Sequence, residues 1–263
     1  MDSSSDREIQ RVNPDRLMRL KDIFNLPNFF TLGNLLCGCV AMYFVFTFRL
    51  EWSVYLVALA LAADFLDGLV ARALKISSPM GRELDSLADV VSFGALPGAL
   101  LFHLLYQYWE KKGWDEWITL LAALPGFCFT LFAALRLAKF NLDNRQTQGF
   151  IGLATPAATI FVVGLVLMVF NNSFGLVDLI FTPWFLYGTI LVLSLLMISE
   201  IPMFSFKMSG QKSIAAYKTQ IIFVAIVLVL FVALKFAAVA ASIIVYVLLS
   251  LFNYIKNEIS RRN

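Results

Sequence analysis

Four aspartates stand where carboxylates are least expected. Asp64, Asp67, Asp85 and Asp89 lie within or at the ends of long apolar runs. An aspartate near the centre of a membrane helix costs about 2.5–3.5 kcal/mol on insertion scales, less toward a helix end, and such acids usually mark function. Asp64 and Asp67 are three residues apart, and Asp85 and Asp89 four apart, so each pair shares one face of a helix. A short loop joins the two helices, which makes them antiparallel neighbours and lets all four acids converge. Four anions at close range cannot all ionise in a low-dielectric site unless positive charge joins them, and Arg72 alone is too little. Oxygen-only donors select hard ions, Mg2+ or Mn2+, over zinc. Four carboxylates can hold two such ions roughly 3.5–4 Å apart, a pair that stabilises charge on phosphoryl oxygens. The expected cofactors are therefore two divalent cations, and the chemistry metal-assisted phosphoryl transfer at a membrane face. Gly68 and Gly81 each sit one turn from an aspartate. Either a ligand approaches the backbone there or helices pack closely.

The elements that must position these acids are membrane helices. The chain has 263 residues, 60% apolar and 15% charged, with mean hydropathy +0.78. Soluble domains carry about 25% charged residues, so an ordinary soluble protein is excluded. So is disorder, given this much apolar side chain. With about 20 residues per crossing, the hydropathy pattern predicts an all-α polytopic membrane protein of eight spans. They are placed near 28–48, 53–73, 84–108, 117–139, 153–171, 177–198, 216–234 and 237–255, the last two divided at Lys235; six spans would keep the same parity. With both termini cytoplasmic, 17 of the 21 basic residues fall inside, only Arg49, Lys111, Lys112 and Lys235 lying outside. Residues 13–24 read as an interfacial amphipathic helix on anionic lipid, with Leu17, Leu20 and Phe24 on one face and Arg16, Arg19 and Lys21 largely elsewhere. Cys37, Cys39 and Cys128 match no common zinc framework and read, like His103, as packing residues. No secretory signal is read in the first 25 residues. No nucleic-acid partner is expected.

The string Asp64-x2-Asp67-Gly68-x2-Ala71-Arg72-x8-Gly81-x3-Asp85-x3-Asp89 resembles the full signature of the CDP-alcohol phosphotransferase family, every fixed position being filled. The resemblance implies transfer of a phosphatidyl-type group from a CDP-linked lipid to an alcohol, with release of CMP. It implies that Asp64, Asp67 and Asp85 hold the metals. Asp89 would act as general base and also touch metal, while Gly68, Ala71, Arg72 and Gly81 shape the nucleotide site. It further implies a six-helix core and a homodimer.

Other stretches resemble the phosphatidylserine synthase branch. These are Pro27-Asn28-x2-Thr31-x2-Asn34, Asp85-Ser-Leu-Ala-Asp89-Val-Val-Ser-Phe-Gly94, Leu135-Arg-Leu-Ala-Lys-Phe-Asn141 and Ser199-Glu-Ile-Pro-Met-Phe-Ser-Phe-Lys207. Two spans beyond the core fit that branch too. Residues 1–25 are then a cytoplasmic lead-in, 26–198 the six-span core, and 199–263 a loop, two further spans and a basic tail. The implied substrates are CDP-diacylglycerol and L-serine, within a surround of membrane lipids.

A zwitterionic acceptor needs a cation for its carboxylate. Arg136 offers a planar fork and lies deeper than Lys139; snorkelling to the headgroups is the other use of both. Asn28 and Thr31 share a helix face and are expected at the nucleotide, and Asn34 on the same face is grouped with the acceptor; interhelical hydrogen bonding is the alternative for all three. Asn141 and Lys207 are weaker candidates. Gly94-x3-Gly98 around Pro97 either opens a lipid groove or packs tightly at a kink. The nearest rival activity is the same transfer to glycerol phosphate, inositol or inositol phosphate. A more distant rival is a divalent-cation transporter, which would place its acids near the membrane midplane.

Overall fold

Helix starts in this chain are set by short polar caps and by proline, which suits the first turn of a helix because its missing N–H is not needed there. The computed structural model describes residues 25–75, 78–143, 150–204 and 217–262; the expected helix at 13–24 and Lys207 lie outside these. Helix α1 (Leu26–Phe46) opens with the Asn25 side chain accepting from the Asn28 N–H at 2.9 Å, with Pro27 in the first turn. Helix α2 (Leu50–Leu74) follows and ends at Lys75 in the left-handed region, φ 55°. Helix α3 (Pro79–Asp89) starts where the Ser78 hydroxyl accepts from the Gly81 N–H at 2.9 Å. It runs through a π-helical turn (Val90–Ala95) into α4 (Leu96–Lys111). Helix α5 (Glu116–Ala123) passes through a 3-10 turn (Leu124–Phe127) into α6 (Cys128–Leu142). Then come β1 (Phe150–Ile151), α7 (Thr155–Phe170), a single turn α8 (Val177–Ile180), α9 (Pro183–Ile198), β2 (Pro202–Met203), α10 (Lys218–Leu234) and α11 (Ala237–Arg262).

Among the described residues five helices are long and apolar enough to cross a membrane: Leu26–Phe46, Leu50–Leu74, Pro79–Lys111, Glu116–Leu142 and Ala237–Lys256. The protein is an all-α polytopic membrane protein. Three further apolar helices, α7, α9 and α10, have 16, 16 and 17 residues. The apolar stretch after 216 does break at Lys235, whose φ is 48°. The segment placed at 177–198 is not one helix: it is interrupted ahead of Pro183.

The third rod, α3 through α4, is the hub. It is 72% buried along its apolar stretch, against 22–28% for the other four long helices. Leu96, Leu100, Leu101, Leu104 and Leu105 pack in one core with Val45, Val57, Phe129, Val162 and Val166. Close packing is the use made of the glycines around Pro97: a Cβ on Gly98 would collide with the Thr130 hydroxyl, and one on Gly94 would lie 3.3 Å from the Ala133 Cβ. His103 is buried edge-on against Phe48, ring centroids 4.7 Å apart, and the three cysteines are unbridged.

Two short strands, unforeseen in the sequence, tie the end of the α6–α7 connection to the segment after α9. Phe150 pairs with Met203 and Ile151 with Pro202, antiparallel. Gly152 makes this possible: its φ is 77°, and a Cβ there would lie 2.6 Å from the Met197 carbonyl oxygen. Such a conformation is open only to glycine at ordinary cost.

The same substitution should act oppositely at two glycines. At Gly164 an added Cβ would lie 2.5 Å from the Ala240 nitrogen, between α7 and α11, whereas at Gly188 nothing lies within 4 Å. Gly164→Ala should destabilise by about 1–3 kcal/mol through overpacking. Gly188→Ala should be neutral or stabilising by up to about 1 kcal/mol, as alanine is the better helix former. Thermal unfolding of the purified protein in detergent measures both.

Candidate active site

Asp64, Asp67 and Asp85 come together as the spacing predicted. One carboxylate oxygen from each lies within 4.8 Å of the others. Helix α2 supplies the first two and α3 the third. They are consecutive in the chain, α2 ending at Leu74 and α3 beginning at Pro79, and α1 packs along both. Asp89, one turn further along α3, lies outside that trio but within hydrogen-bonding contact of Asp64. Two carboxylates in contact must share a proton or a cation.

The surroundings hold the acids in place. The Thr31 hydroxyl on α1 donates to Asp67 Oδ2 at 2.8 Å, and the Asn34 amide donates to Asp89 Oδ1 at 3.4 Å. Both α1 residues are buried, as are Asp67 and Asp89. Asp85 Oδ1 and Asn34 Oδ1 are buried with no hydrogen-bond partner among the described residues. A buried, unpartnered carboxylate oxygen beside two other acids is suited to ligating a cation. The donor set, all oxygen and three carboxylates deep, fits a hard dication.

Beside the acids opens a cleft of about 160 Å³, lined by residues that include Asn28, Thr31, Asp67, Gly68, Ala71, Gly81 and Asp85. Of these, Asn28, Thr31, Gly68, Ala71 and Gly81 are residues expected at the nucleotide. Arg72 does not line it. Its side chain is exposed and folds back so that Nη1 lies 3.5 Å from where a Gly68 Cβ would be. Gly81 is bare for a steric reason, since a Cβ would stand 3.1 Å from both Asn28 Oδ1 and Ser78 Oγ. Asn25, Ser78 and Arg82 also line the cleft. None of the three was singled out in the sequence; the first two are polar caps ahead of prolines, a signal that could have found them, and Arg82 carried none beyond its charge.

Arg136 and Lys139, grouped together in the sequence, part company. Arg136 on α6 is 6% exposed, and its one hydrogen bond among the described residues is from Nη1 to Thr155 Oγ1 at 3.4 Å. The guanidinium stacks over Phe140 at 5.0 Å and is in electrostatic reach of Asp89 and Tyr246. Among the described residues it makes no ion pair. Lys139 instead donates to the Ile198 carbonyl at 3.2 Å and pairs with Glu200 at 3.5 Å, closing α6 against the end of α9. Asn141 reaches Ser86 Oγ at 2.9 Å, bridging α6 and α3. Thr155 and Tyr246, which surround Arg136, were not singled out in the sequence. Nothing in a threonine at a helix start or a tyrosine in an apolar span distinguishes it.

The chain is similar to known proteins in this same region. The CDP-alcohol phosphatidyltransferase family profile matches residues 24–192. The Helicobacter pylori (strain J99) CDP-diacylglycerol–serine O-phosphatidyltransferase is 32% identical over 192 residues, 72% of this chain and 76% of that one. Its namesake in Methanocaldococcus jannaschii is 34% identical over 185 residues, 70% of this chain and 76% of the relative. That of Bacillus subtilis is 34% identical over 139 residues, 52% and 73%.

If the trio is a dication site, Asp85→Asn should abolish Mn2+ binding measured by calorimetry. Thr31→Val removes only the hydroxyl that orients Asp67, and should weaken Mn2+ by about 10–100-fold, as outer-shell substitutions do.

Proposed function

Because this chain belongs to the CDP-alcohol phosphatidyltransferase family, we propose that it transfers the phosphatidyl group of CDP-diacylglycerol to the hydroxyl of L-serine, giving phosphatidylserine and CMP. The family supplies the reaction class. The relatives' names point to serine, and Arg136 is the observation in this chain that carries it. A buried guanidinium with most of its donors unspent and no carboxylate partner is costly. It is relieved by an acceptor that brings its own carboxylate. Glycerol phosphate also brings an anion, and inositol does not.

Asp64, Asp67 and Asp85, with Asp89 alongside, are the residues to hold two Mg2+ or Mn2+ ions. Bound there, such ions supply charge neutralisation of the pyrophosphate and of the departing CMP. Asn28, Thr31, Gly68, Ala71 and Gly81 form the wall against which the nucleotide rests, with Arg72 at its rim. Asp89 accepts the proton of the serine hydroxyl. The hydroxyl oxygen then bonds to the lipid-side phosphorus as the bond to the CMP oxygen breaks. Arg136 takes the serine carboxylate in bidentate fashion, and the unpartnered Asn34 Oδ1 is an acceptor for its ammonium. Lys139 and Glu200 stand at the margin of this acceptor site.

The basic-residue bias supports both termini in the cytoplasm and the site at the cytoplasmic face, where serine and CMP exchange with solution. In this reading residues 26–198 form the catalytic core, 199–263 add the last two spans, and two copies pair as a homodimer.

Purified protein supplied with CDP-diacylglycerol and Mn2+ should release CMP with L-serine, and far more slowly with glycerol phosphate, inositol or inositol phosphate. A preference for any of those three refutes the serine assignment. Asp89→Asn should lower kcat by about 10²–10⁴-fold with CMP binding retained, the range for loss of a general base. Arg136→Met should raise the serine KM by about 10–100-fold, the worth of hydrogen bonds to a charged group, and leave the KM for CDP-diacylglycerol unchanged.

A further inference from the structure

Immediately after Asp89 the third rod stops being an α-helix. Val90–Ala95 form a π-turn, in which the Leu96 N–H donates to the Val91 carbonyl five residues back. A π-turn holds one residue more than an α-turn, so it rotates the helix before it by roughly 100° against the helix after it. The cause lies in the sequence. Pro97 has no N–H for the carbonyl of Phe93, four residues back, and its ring crowds that carbonyl.

Three hydroxyls tie the turn to three other helices. Thr130 on α6 donates to the Gly94 carbonyl at 3.0 Å. Thr159 on α7 lies 3.0 Å from the freed Phe93 carbonyl and 2.9 Å from that of Thr155, so its one proton is shared. Ser92, inside the turn, donates to the Asn34 carbonyl on α1 at 3.0 Å. The fit there is tight, since a Cβ on Gly38 would collide with Ser92. All three hydroxyl-bearing residues avoid the cleft lining.

The helices that hold the turn also carry the groups around Asp89. Helix α1 bears Asn34, which donates to Asp89; α6 bears Arg136; α7 bears Thr155, the hydrogen-bond partner of Arg136. The metal trio lies on α2 and on α3 ahead of the turn. We propose that the π-turn at Val90–Ala95 aims Asp89 at the acceptor held by Arg136, and that Thr130, Thr159 and Ser92 are its positioning residues. The proposal rests on the reading of Asp89 as the base. It separates two functions within one helix: Asp85 is set by the capped start of α3, and Asp89 by the turn that follows it.

Valine has the shape of threonine without the hydroxyl, so the Thr130→Val/Thr159→Val double variant tests this in the full-length protein, beside Thr130→Ser/Thr159→Ser. The alcohol used is whichever the unsubstituted enzyme prefers, so a failure of the serine assignment appears in that enzyme alone and leaves the comparison intact. The valine variant should lose about tenfold or more in kcat over acceptor KM, a misplacement of less than 1 Å being enough. Its KM for CDP-diacylglycerol should stay within about twofold, and the serine variant should recover most of the loss. Unchanged acceptor kinetics in the valine variant would overturn the proposal. So would a loss shared by donor KM and thermal stability that the serine variant does not restore, because the hydroxyls would then only hold the fold.

Discussion

Mutual repulsion among carboxylates in a low-dielectric surround is the constraint around which this molecule is organised. Three acids with oxygens inside 4.8 Å and a fourth touching one of them cannot persist as bare anions in a low-dielectric surround. Protonation would relieve the repulsion, but it would leave a set of acids with no purpose. Hard dications relieve it and at the same time create a place where a pyrophosphate can dock. The unpartnered oxygen of Asp85 and the hydroxyl of Thr31 on Asp67 fit the second solution, since they leave lone pairs directed inward and orient what surrounds them.

The rest of the fold follows from holding that cluster at the junction of three helices. Helices α1 and α2 pack along one another and receive the start of α3. The third rod then continues as the most buried helix of the protein. One rod therefore has two tasks: to present acids at one end, and to fill an apolar core with leucines over the rest. The π-turn marks the boundary between them. Arg136 enters from α6, buried and within electrostatic reach of Asp89, and among the described residues the two form no ion pair.

The acids were legible because their cost is high and their spacing periodic: i, i+3 and i, i+4 pairs on consecutive helices leave few other geometries. Gly68, Ala71 and Gly81 were legible through the family string, Asn28 and Thr31 through a separate branch-like stretch, and all five line one cleft. Arg72, in the same string, lies at its edge. Arg136 and Lys139 could not be told apart from sequence, because a basic residue near a helix end satisfies topology, snorkelling and substrate binding alike; only burial separated them, and Lys139 turned out to be paired with Glu200. Thr130, Thr155 and Thr159 were invisible, since a threonine in an apolar helix ordinarily satisfies its own i−4 carbonyl. The π-turn and the two-residue strands were illegible for a related reason: both depend on contacts between segments distant in the chain. The break at Lys235 was readable from length alone.

Anomalous diffraction at the manganese edge, from crystals grown with saturating Mn2+, tests the central claim most directly. The account predicts two peaks roughly 3.5–4 Å apart, enclosed by Asp64, Asp67 and Asp85 with Asp89 alongside. A map with no anomalous peak among these side chains at saturating metal would contradict it.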